Sequence, residues 1–377
     1  MRIGIDANPV LNKQPGGIEV YIAELVKRMP RLGHSHDFLL YFNFLRKQNM
    51  MMVQRFVQNG VQTKIFHAPR RFFWPIMWNL KIPVDWIIGH VDVMFYPSFV
   101  VLPQRRGKRV LTVHDLIPMT HPELCDPSNL RDFQLYVPHS VPRADKIIVV
   151  SNYTRDHVME RFRIKPEVIH VIPNGVHERF QPQNGSVINS LIQSRYGIQG
   201  PFFLFIGNHE RRKNLVRMVK AFEKEALKSP VQEFSLVLAG SPAYGAEELY
   251  DIIAKLDPRV RVLLPGYIAY DDLPILYGAA TAFIFPSIVE GFGIPVLEAM
   301  ACGCPVLTSC QQPLSEIVGD AALTVDPLDV DAIAEGFKCL AENSALRQTL
   351  KVRGLERVKE FSWERTAVET LKVLEGA

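Results

Sequence analysis

Short apolar stretches alternate with longer amphipathic stretches along this chain, and this alternation constrains the fold more than any other feature. The short stretches suit strands buried on both faces of a parallel sheet, and the long ones suit the connecting helices. In the first half this predicts strands near 2–7, 37–42, 62–66, 91–96, 109–113, 145–150 and 168–172, with helices at 18–31 and 152–162. A second series predicts strands near 202–206, 234–239, 260–264, 281–285, 305–309 and 321–325, with helices near 213–228, 246–256, 293–302, 328–342 and 344–360.

A stretch of turn-forming residues separates the two series. It contains Pro173-Asn174-Gly175 and the polar run 181–186, so we place a linker near 175–195. The 377 residues also suit two domains. We therefore predict an α/β protein with two Rossmann-like domains whose parallel sheets face a central cleft, because open α/β sheets bind ligands at the carboxyl ends of their strands. The predicted amino-terminal domain is 1–178 and the predicted carboxy-terminal domain is 196–358. The remaining residues, 359–377, are predicted to form a last helix that crosses back to the first domain.

Charge is unevenly distributed between the two halves. Residues 1–180 hold 24 Lys and Arg against 15 Asp and Glu, a net +9, whereas the remainder holds 19 against 24, a net −5. A basic domain indicates an anionic partner such as phospholipid or nucleic acid; the alternative is chance distribution over solvated faces. Five cysteines make neither a disulfide framework nor a zinc site, and no apolar run reaches about 18 residues. We expect a cytosolic protein without a signal peptide or a membrane span.

Two segments combine glycine or positive charge with a predicted helix start. Residues 14–19 place Gly16 and Gly17 before the first helix, where backbone N–H groups can approach a phosphate; the alternative is a flexible turn. The cations 211–213 follow a strand end, which predicts a diphosphate site rather than a solvated cluster.

The segment 285–300 carries two carboxylates across a glycine-rich turn. If a helix starts near Gly293, Glu290 lies in the preceding loop and Glu298 lies more than one turn inside the helix. The two side chains would then reach different parts of one extended ligand, and free N–H groups at the helix start could bond sugar hydroxyls or phosphate oxygens. The alternative is a surface glutamate followed by a capping glutamate.

These motifs together resemble the retaining glycosyltransferases of family 4, which have the GT-B fold. The resemblance covers almost the whole chain and rests on Gly16-Gly17-Ile18-Glu19, Arg212-Lys213-Asn214, the spacing from Glu290 to Glu298, and 302–306, with support from 113–116, 171–176 and 266–268. The ending 361–364 resembles members that build bacterial polysaccharides, particularly mannosyltransferases.

The resemblance implies a role for each motif at the nucleotide-sugar donor. At the sugar, the expected contacts are Glu290 and the backbone N–H groups of Phe292 and Gly293, with His114 beside the sugar. At the diphosphate they are Arg212 and Lys213, with Gly16 and Gly17. Glu298 is expected at the ribose, and Tyr267 and Ile268 are expected at the base. Of these, the catalytic set is His114, Glu290, Arg212 and Lys213. The alternative for His114 is a capped core histidine. Many relatives have a basic residue where this chain has Asn208, so more of the diphosphate charge is expected to fall on Arg212 and Lys213.

The implied function is a retaining transfer of mannose from GDP-mannose to a lipid-linked saccharide, in O-antigen-like lipopolysaccharide biosynthesis. In the family's account, the acceptor attacks on the leaving group's own face and a diphosphate oxygen takes its proton. No metal is expected, because there is no Asp-x-Asp pair at a strand end and the cations 211–213 can fill that role. UDP-glucose, UDP-galactose and UDP-N-acetylglucosamine remain alternative donors.

Other classes of protein are alternatives to a transferase. A GT-B epimerase of nucleotide sugars stays open, as does a non-catalytic saccharide-binding protein, although the latter would not need Arg212, Lys213, Glu290 and His114 together. A dinucleotide-dependent oxidoreductase would show G-x-G-x-x-G after a strand, and the chain has none.

Basic residues interleaved with aromatic residues and methionine predict contact with the cytoplasmic face of an anionic membrane, with no nucleic acid partner. The candidate segments are 46–52 with Arg55 and Phe56, and 70–78 with Lys81. Pro75 argues against one continuous amphipathic helix in the second. The alternative is that these aromatic residues line the core or the acceptor groove.

Overall fold

The computed structural model describes residues 1–11, 16–45, 50, 53–54, 61–68, 70–183, 187–228 and 231–377. The chain divides into two compact units. The first unit comprises Met1–Met119, Pro127–Gly175 and Trp363–Ala377, and the second comprises Thr120–Asp126 and Val176–Ser362. The stretch that the sequence assigned to a linker includes a helix, Val187–Tyr196.

The first unit has a parallel sheet of seven strands within the described residues. They are β1 Arg2–Asp6, β2 Asp37–Asn43, β3 Gln62–Phe66, β4 Val93–Tyr96, β5 Lys108–Val113, β6 Lys146–Val149 and β7 Ile169–Val171. Their order is β3-β2-β1-β4-β5-β6-β7. β1 pairs on one side with β2 and on the other with β4, so that Ile3 lies opposite both Phe38 and Val93. The strand order reverses between β1 and β4, where sheets of this kind bind ligands.

The second unit repeats this topology with six parallel strands among its described residues. They are β8 Phe202–Ile206, β9 Ser235–Ala239, β10 Arg261–Gly266, β11 Ala282–Phe285, β12 Val306–Ser309 and β13 Leu323–Val325, in the order β10-β9-β8-β11-β12-β13. Here the order reverses between β8 and β11.

Helices connect the strands of both sheets. In chain order, those described are α1 Gly17–Leu32, α2 Arg70–Asn79, α3 Asp85–Ile88, α4 Ile117–Thr120, α5 Pro127–Ser140, α6 Asn152–Phe162, α7 Val187–Tyr196, α8 Leu215–Ala226, α9 Glu247–Ile253, α10 Leu273–Ala279, α11 Ile294–Ala301, α12 Leu314–Val318, α13 Val330–Glu342, α14 Ser344–Arg357 and α15 Trp363–Glu375. The last of them, α15, belongs to the first unit although it is remote from the rest of that unit in sequence.

Helix α15 packs against α1 inside the first unit. The ring of Trp363 lies 6.1 Å from the ring of Tyr21, and both side chains are fully buried. At the other end of the helix pair, Nε2 of His36 lies 2.8 Å from a carboxylate oxygen of Glu375. The first unit therefore completes its core with residues from the end of the chain.

Aromatic residues fill the core of the second unit around the two strands at its point of reversal. Phe205 on β8 stacks on Phe285 of β11 with ring centroids 5.9 Å apart, and Phe203 meets Phe337 of α13 at 5.0 Å. Side chains on both faces of these strands are buried. Burial on both faces explains why the strands are continuous apolar runs in the sequence.

The thirteen predicted strands are confirmed to within two residues at each end. The predicted helices are confirmed also, although several described helices were not predicted: α2, α3, α4, α5, α7, α10 and α12. The interruption expected at Pro75 is wrong, because α2 continues through that residue. Proline removes one backbone donor from a helix, and burial of Met77 on the same helix offsets part of that cost.

Candidate active site

Two loops meet at the carboxyl ends of β8 and β11. The first leads from β8 into a turn of 3₁₀ helix, Arg211–Lys213, and the second follows Phe285. Backbone N–H of Ile288 donates to the carbonyl of Arg212 at 2.9 Å. Asn214 adopts left-handed backbone angles, with φ of 64°, and its amide donates to the carbonyl of Pro286 at 3.0 Å. Both motifs singled out in the sequence are therefore tied together at one edge of the sheet.

Four charged side chains form an ion cluster in these loops: Glu210, Arg212, Lys213 and Glu290. Lys213 Nζ donates to Oε1 of Glu290 at 2.6 Å, and Arg212 Nη1 donates to Oε2 at 2.7 Å. Arg212 Nε also donates to Glu210 at 2.7 Å. The ion cluster holds two formal positive and two formal negative charges, so it is neutral overall.

Glu290 is only 6% exposed. Its burial and its pairing with Arg212 and Lys213 act in opposite directions on its pKa. Burial alone would raise that pKa, but the charges of Arg212 and Lys213, with the hydrogen bond from Lys213, outweigh it and lower the pKa to about 2. The pKa of Lys213 is lowered, first by burial and then by the neighbouring Arg212, although Glu290 counteracts both. Glu290 is therefore a carboxylate at neutral pH and can accept hydrogen bonds but not donate them.

The structure adds two facts about the cations 211–213. The guanidinium of Arg211 lies over the ring of Tyr244, 5.5 Å from its centroid, whereas Arg212 and Lys213 pair with Glu290. Glu290, which the resemblance assigns to the sugar, is paired directly with Arg212 and Lys213, which it assigns to the diphosphate. Two carboxylates thus offset the positive charge that the sequence assigned to a diphosphate.

The helix that follows Glu290 begins where the sequence predicted. Gly293 caps α11 with φ of 115°, in the region that favours glycine. A Cβ at this position would lie 2.6 Å from Cδ2 of Leu314, so a larger residue does not fit without a shift. The preceding Phe292 is buried, with its ring 6.1 Å from that of Phe361. The turn between Glu290 and α11 is therefore fixed on both sides.

Glu298 lies inside α11 and is 5% exposed. Burial raises its pKa to about 7, although the hydrogen bond from Tyr277 and the charge of Arg179 act to lower it. The Tyr277 hydroxyl donates to Oε2 of Glu298 at 3.1 Å. The alternative of a surface glutamate and a capping glutamate is wrong, because Glu290 and Glu298 are both buried.

The expected base contacts follow the end of β10. Gly266 ends the strand with φ of 76°, and its carbonyl accepts the N–H of Gly240 at 2.9 Å. The next residue, Tyr267, is 52% exposed, whereas Ile268 is buried. Backbone at this point is therefore held to the neighbouring strand end while the Tyr267 ring faces solvent.

His114 follows β5 in the first unit and is partly exposed. Its ring lies edge-on to Tyr21, with centroids 4.8 Å apart, and Nε2 lies 2.9 Å from the carbonyl of Pro97. Burial lowers its pKa to about 4, although the bond to Pro97 acts to raise it. Since a carbonyl only accepts, neutral His114 carries its proton on Nε2 and presents Nδ1 as an acceptor.

Gly16 and Gly17 stand at the start of α1 in the first unit. Gly16 is the capping residue, and its N–H donates to a carboxylate oxygen of Glu19 at 2.9 Å. The carboxylate of Glu19 therefore occupies the N–H of Gly16, and the contact of Gly16 and Gly17 with a diphosphate stays a prediction. Gly17 is the first residue of the helix.

Sequence reasoning missed the contributions of three residues. Glu210 pairs with Arg212, Asn214 ties the two loops, and Tyr277 bonds Glu298. The spacing of Glu210 two residues before Arg212 was the available signal for the first pair. Across the described ranges, no three His, Cys, Asp or Glu side chains are grouped closely enough to hold a metal ion.

We predict that Glu298→Gln weakens the pH dependence of folding stability. The folded-state pKa of Glu298 is raised from 4.5 to about 7, so the folded state holds this proton more tightly than the unfolded state. The wild type therefore loses stability as pH rises from about 4.5 to about 7, by roughly 2 to 3 kcal/mol for this buried group. Glutamine keeps an acceptor for Tyr277 and removes that loss.

Urea unfolding at pH 5.0 and pH 7.5 checks this expectation. Glu298→Gln should gain stability relative to the wild type at the higher pH. Glu342→Gln, at the exposed end of α13, is the matched control and should follow the wild type at both. Equal differences between Glu298→Gln and the wild type at the two pH values would contradict the prediction.

Comparisons with known proteins agree with the family that the motifs resemble and with this fold. The family model for Glycosyltransferase Family 4 matches residues 15–180, and that for Glycosyl transferases group 1 matches residues 193–357. The chain is 28% identical over 328 residues to O-antigen chain mannosyltransferase B of Escherichia coli, covering 87% of this chain and 81% of that protein. It is 32% identical over 323 residues to the serotype-specific mannosyltransferase WbdA of Escherichia coli, covering 83% of this chain but only 39% of the longer relative.

Among solved structures, Anabaena HepE in complex with UDP and glucose superposes with a TM-score of 0.76 at 18% identity, over all of this chain and 99% of that one. This likeness concerns the fold, which is GT-B, as the sequence predicted. With both family models matched in order along its length, the chain belongs to the glycosyltransferases of family 4.

Proposed function

We propose that this glycosyltransferase moves mannose from GDP-mannose, with retention at the anomeric carbon, onto a lipid-linked saccharide of an O-antigen-like polysaccharide. The observation that carries a transfer reaction is the buried ion cluster at the carboxyl ends of β8 and β11. Mannose as the sugar is supported by the names of the two relatives, both mannosyltransferases. The relative named for O-antigen chains supports the polysaccharide acceptor.

The ion cluster supplies groups suited to each charge of such a reaction. Arg212 and Lys213 would meet the diphosphate as it leaves, while Glu290 would accept hydrogen bonds from sugar hydroxyls. Each carboxylate offers about four acceptor positions, so Glu290 can bond both cations and sugar hydroxyls together. The neutral His114 ring, with Nδ1 as an acceptor, also suits a sugar hydroxyl.

Retention requires the new bond to form on the face from which the diphosphate departs. In the proposed reaction the bond from the anomeric carbon to the diphosphate oxygen breaks, and a bond to the acceptor oxygen forms. The acceptor proton passes to a diphosphate oxygen. Positioned charges would stabilise the transition state. Removal of one hydrogen-bond donor that is directed at the developing charge lowers kcat by about 100-fold to 1,000-fold.

We predict that GDP-mannose is the donor and that no divalent cation is needed. GDP-mannose should raise the melting temperature by mass action more than UDP-glucose, UDP-galactose, UDP-N-acetylglucosamine or ADP-glucose at equal concentration. GDP should be released when a membrane extract containing lipid-linked saccharide is added, with or without EDTA.

Three outcomes would contradict this prediction. A larger rise in melting temperature and release of UDP with a UDP-sugar would identify a UDP-dependent enzyme, and interconversion of nucleotide sugars would identify an epimerase. Loss of turnover in EDTA that magnesium restores would overturn the metal-free mechanism.

We predict that Glu290→Gln lowers kcat by about 100-fold or more while the Kd for GDP changes less than tenfold. The amide cannot bond both cations and the sugar as an anion does, yet Arg212 and Lys213 remain to meet the diphosphate. Product release gives kcat, and calorimetry with GDP gives the Kd. Glu342→Gln is the control, and turnover near that of the wild type would remove Glu290 from the sugar site.

Membrane contact belongs to the same proposal, because a lipid-linked acceptor lies at a membrane. Within the ranges described, no helix is both long and apolar enough to span a bilayer. The segment 46–52 with Arg55 and Phe56 lies outside the described residues except for Met50, and so do the side chains at 70–74 of the second segment.

The described part of the second segment leads into exposed apolar side chains. Ile76 and Leu80 are one helical turn apart, because the N–H of Leu80 donates a hydrogen bond to the carbonyl of Ile76 at 3.0 Å. Both are exposed, and Leu80 is 68% exposed. Trp86 on α3 is 67% exposed. The N–H of Arg105 donates at 2.9 Å to the carboxylate of Asp85, the residue before Trp86, and Arg105 and Arg106 are both exposed. We propose that these residues, with exposed Lys81, form an apolar–basic surface that contacts anionic lipid.

We predict that the enzyme sediments with vesicles containing anionic phosphatidylglycerol and less with pure phosphatidylcholine. Each Lys or Arg near anionic lipid contributes about 1 kcal/mol, so binding should fall as salt rises. Arg105→Glu with Arg106→Glu, and separately Leu80→Ser, should release the protein. Lys372→Glu and Leu328→Ser alter exposed residues elsewhere and are the controls. Unchanged binding in the surface variants would contradict this docking surface.

A further inference from the structure

We propose that Glu210 is a positioning residue for the transfer reaction, which orients the guanidinium of Arg212 toward the leaving diphosphate. This inference rests on the proposed function and adds to it a residue that neither the motifs nor the comparisons assign. Glu210 acts through Arg212 and does not itself need to touch the donor.

Two carboxylates bind different nitrogens of Arg212. Glu290 accepts from Nη1 of Arg212 at 2.7 Å, and a single bond of this kind leaves the guanidinium plane free to rotate. Glu210 accepts from Nε, a different nitrogen, also at 2.7 Å. Two bonds to different nitrogens of a planar group fix its plane, and a planar fork binds phosphate oxygens only in a defined orientation.

Glu210 is itself fixed by its backbone. Its N–H donates to the carbonyl of Asn208 at 2.9 Å, and its own carbonyl accepts the N–H of Lys213 at 3.0 Å. It has extended backbone angles at the residue before the 3₁₀ turn. The side chain therefore folds back over a turn whose ends are held, which brings its carboxylate to Arg212.

A purely electrostatic role for Glu210 would have a different consequence. Removing its charge changes the ion cluster from neutral to one net positive charge, which would tighten binding of a diphosphate and leave the orientation of Arg212 unimportant. Positioning instead requires kcat to fall when Glu210 is removed, and requires that fall to depend on Arg212. The two roles are thus separable by measurement.

The test is a double-mutant cycle on GDP release from GDP-mannose, using the full chain and the same acceptor extract. Glu210→Ala should lower kcat by about 30-fold to 100-fold, the scale of a misplaced catalytic group, with the donor KM changed less than threefold. In the Arg212→Ala background, the same substitution should lower kcat less than threefold. Glu210→Gln keeps an acceptor oxygen and should recover part of the loss.

Melting temperatures by circular dichroism separate misfolding from mispositioning, and Glu210→Gln serves for the cycle if Glu210→Ala does not fold. Glu342→Ala is the matched control and should keep the wild-type kcat. Equal losses of kcat in the two backgrounds, or a kcat in Glu210→Ala within threefold of the wild type, would overturn the proposal. Absence of product release by the wild type with any nucleotide sugar would instead overturn the proposed function.

Discussion

One shared carboxylate organises the loops at the carboxyl ends of β8 and β11 in the second unit. Glu290 holds Arg212 on one oxygen and Lys213 on the other, all largely removed from water. Unpaired charges at such depth would be strongly destabilising, and loss of one partner from a buried pair typically costs about 3 to 5 kcal/mol. The loops after β8 and β11 therefore depend on this pairing for their conformation, as well as on the Asn214 amide that ties them.

Neutrality of the ion cluster limits how it can act on a negatively charged donor. Two carboxylates already balance the two cations, so net attraction is weak compared with that of an unpaired cationic patch. Under the proposed function, the contribution of these groups is their fixed orientation, since donors aimed in advance need no reorganisation when charge develops on the leaving group. Under that function, the ion cluster suits stabilisation of charge on the leaving group better than tight binding of the donor.

The sequence was sufficient for the strands in the described part of the chain, because parallel strands buried on both faces leave unbroken apolar runs such as Phe202–Ile206. Several helices were missed, among them α5, which contains Pro138, a residue that usually marks the end of a helix. At the site, the motifs identified Glu290, Arg212 and Lys213 but not their mutual pairing. That pairing joins residues 77 and 78 positions apart, and only the adjacency of β8 and β11 brings them together. The direction of Arg211 depends on Tyr244, which no spacing rule connects to it.

The placement of α15 has a consequence for biosynthesis on the ribosome. Tyr21 is buried beside Trp363, a residue made more than 300 positions later. Domains usually fold in the order in which they emerge, but the core of the first unit lacks Trp363 and the rest of α15 until those residues have left the ribosome. The second unit, whose strands and helices all precede α15, has its complete sequence available earlier. The first unit can therefore bury Tyr21 against Trp363 only after the whole second unit has been synthesised.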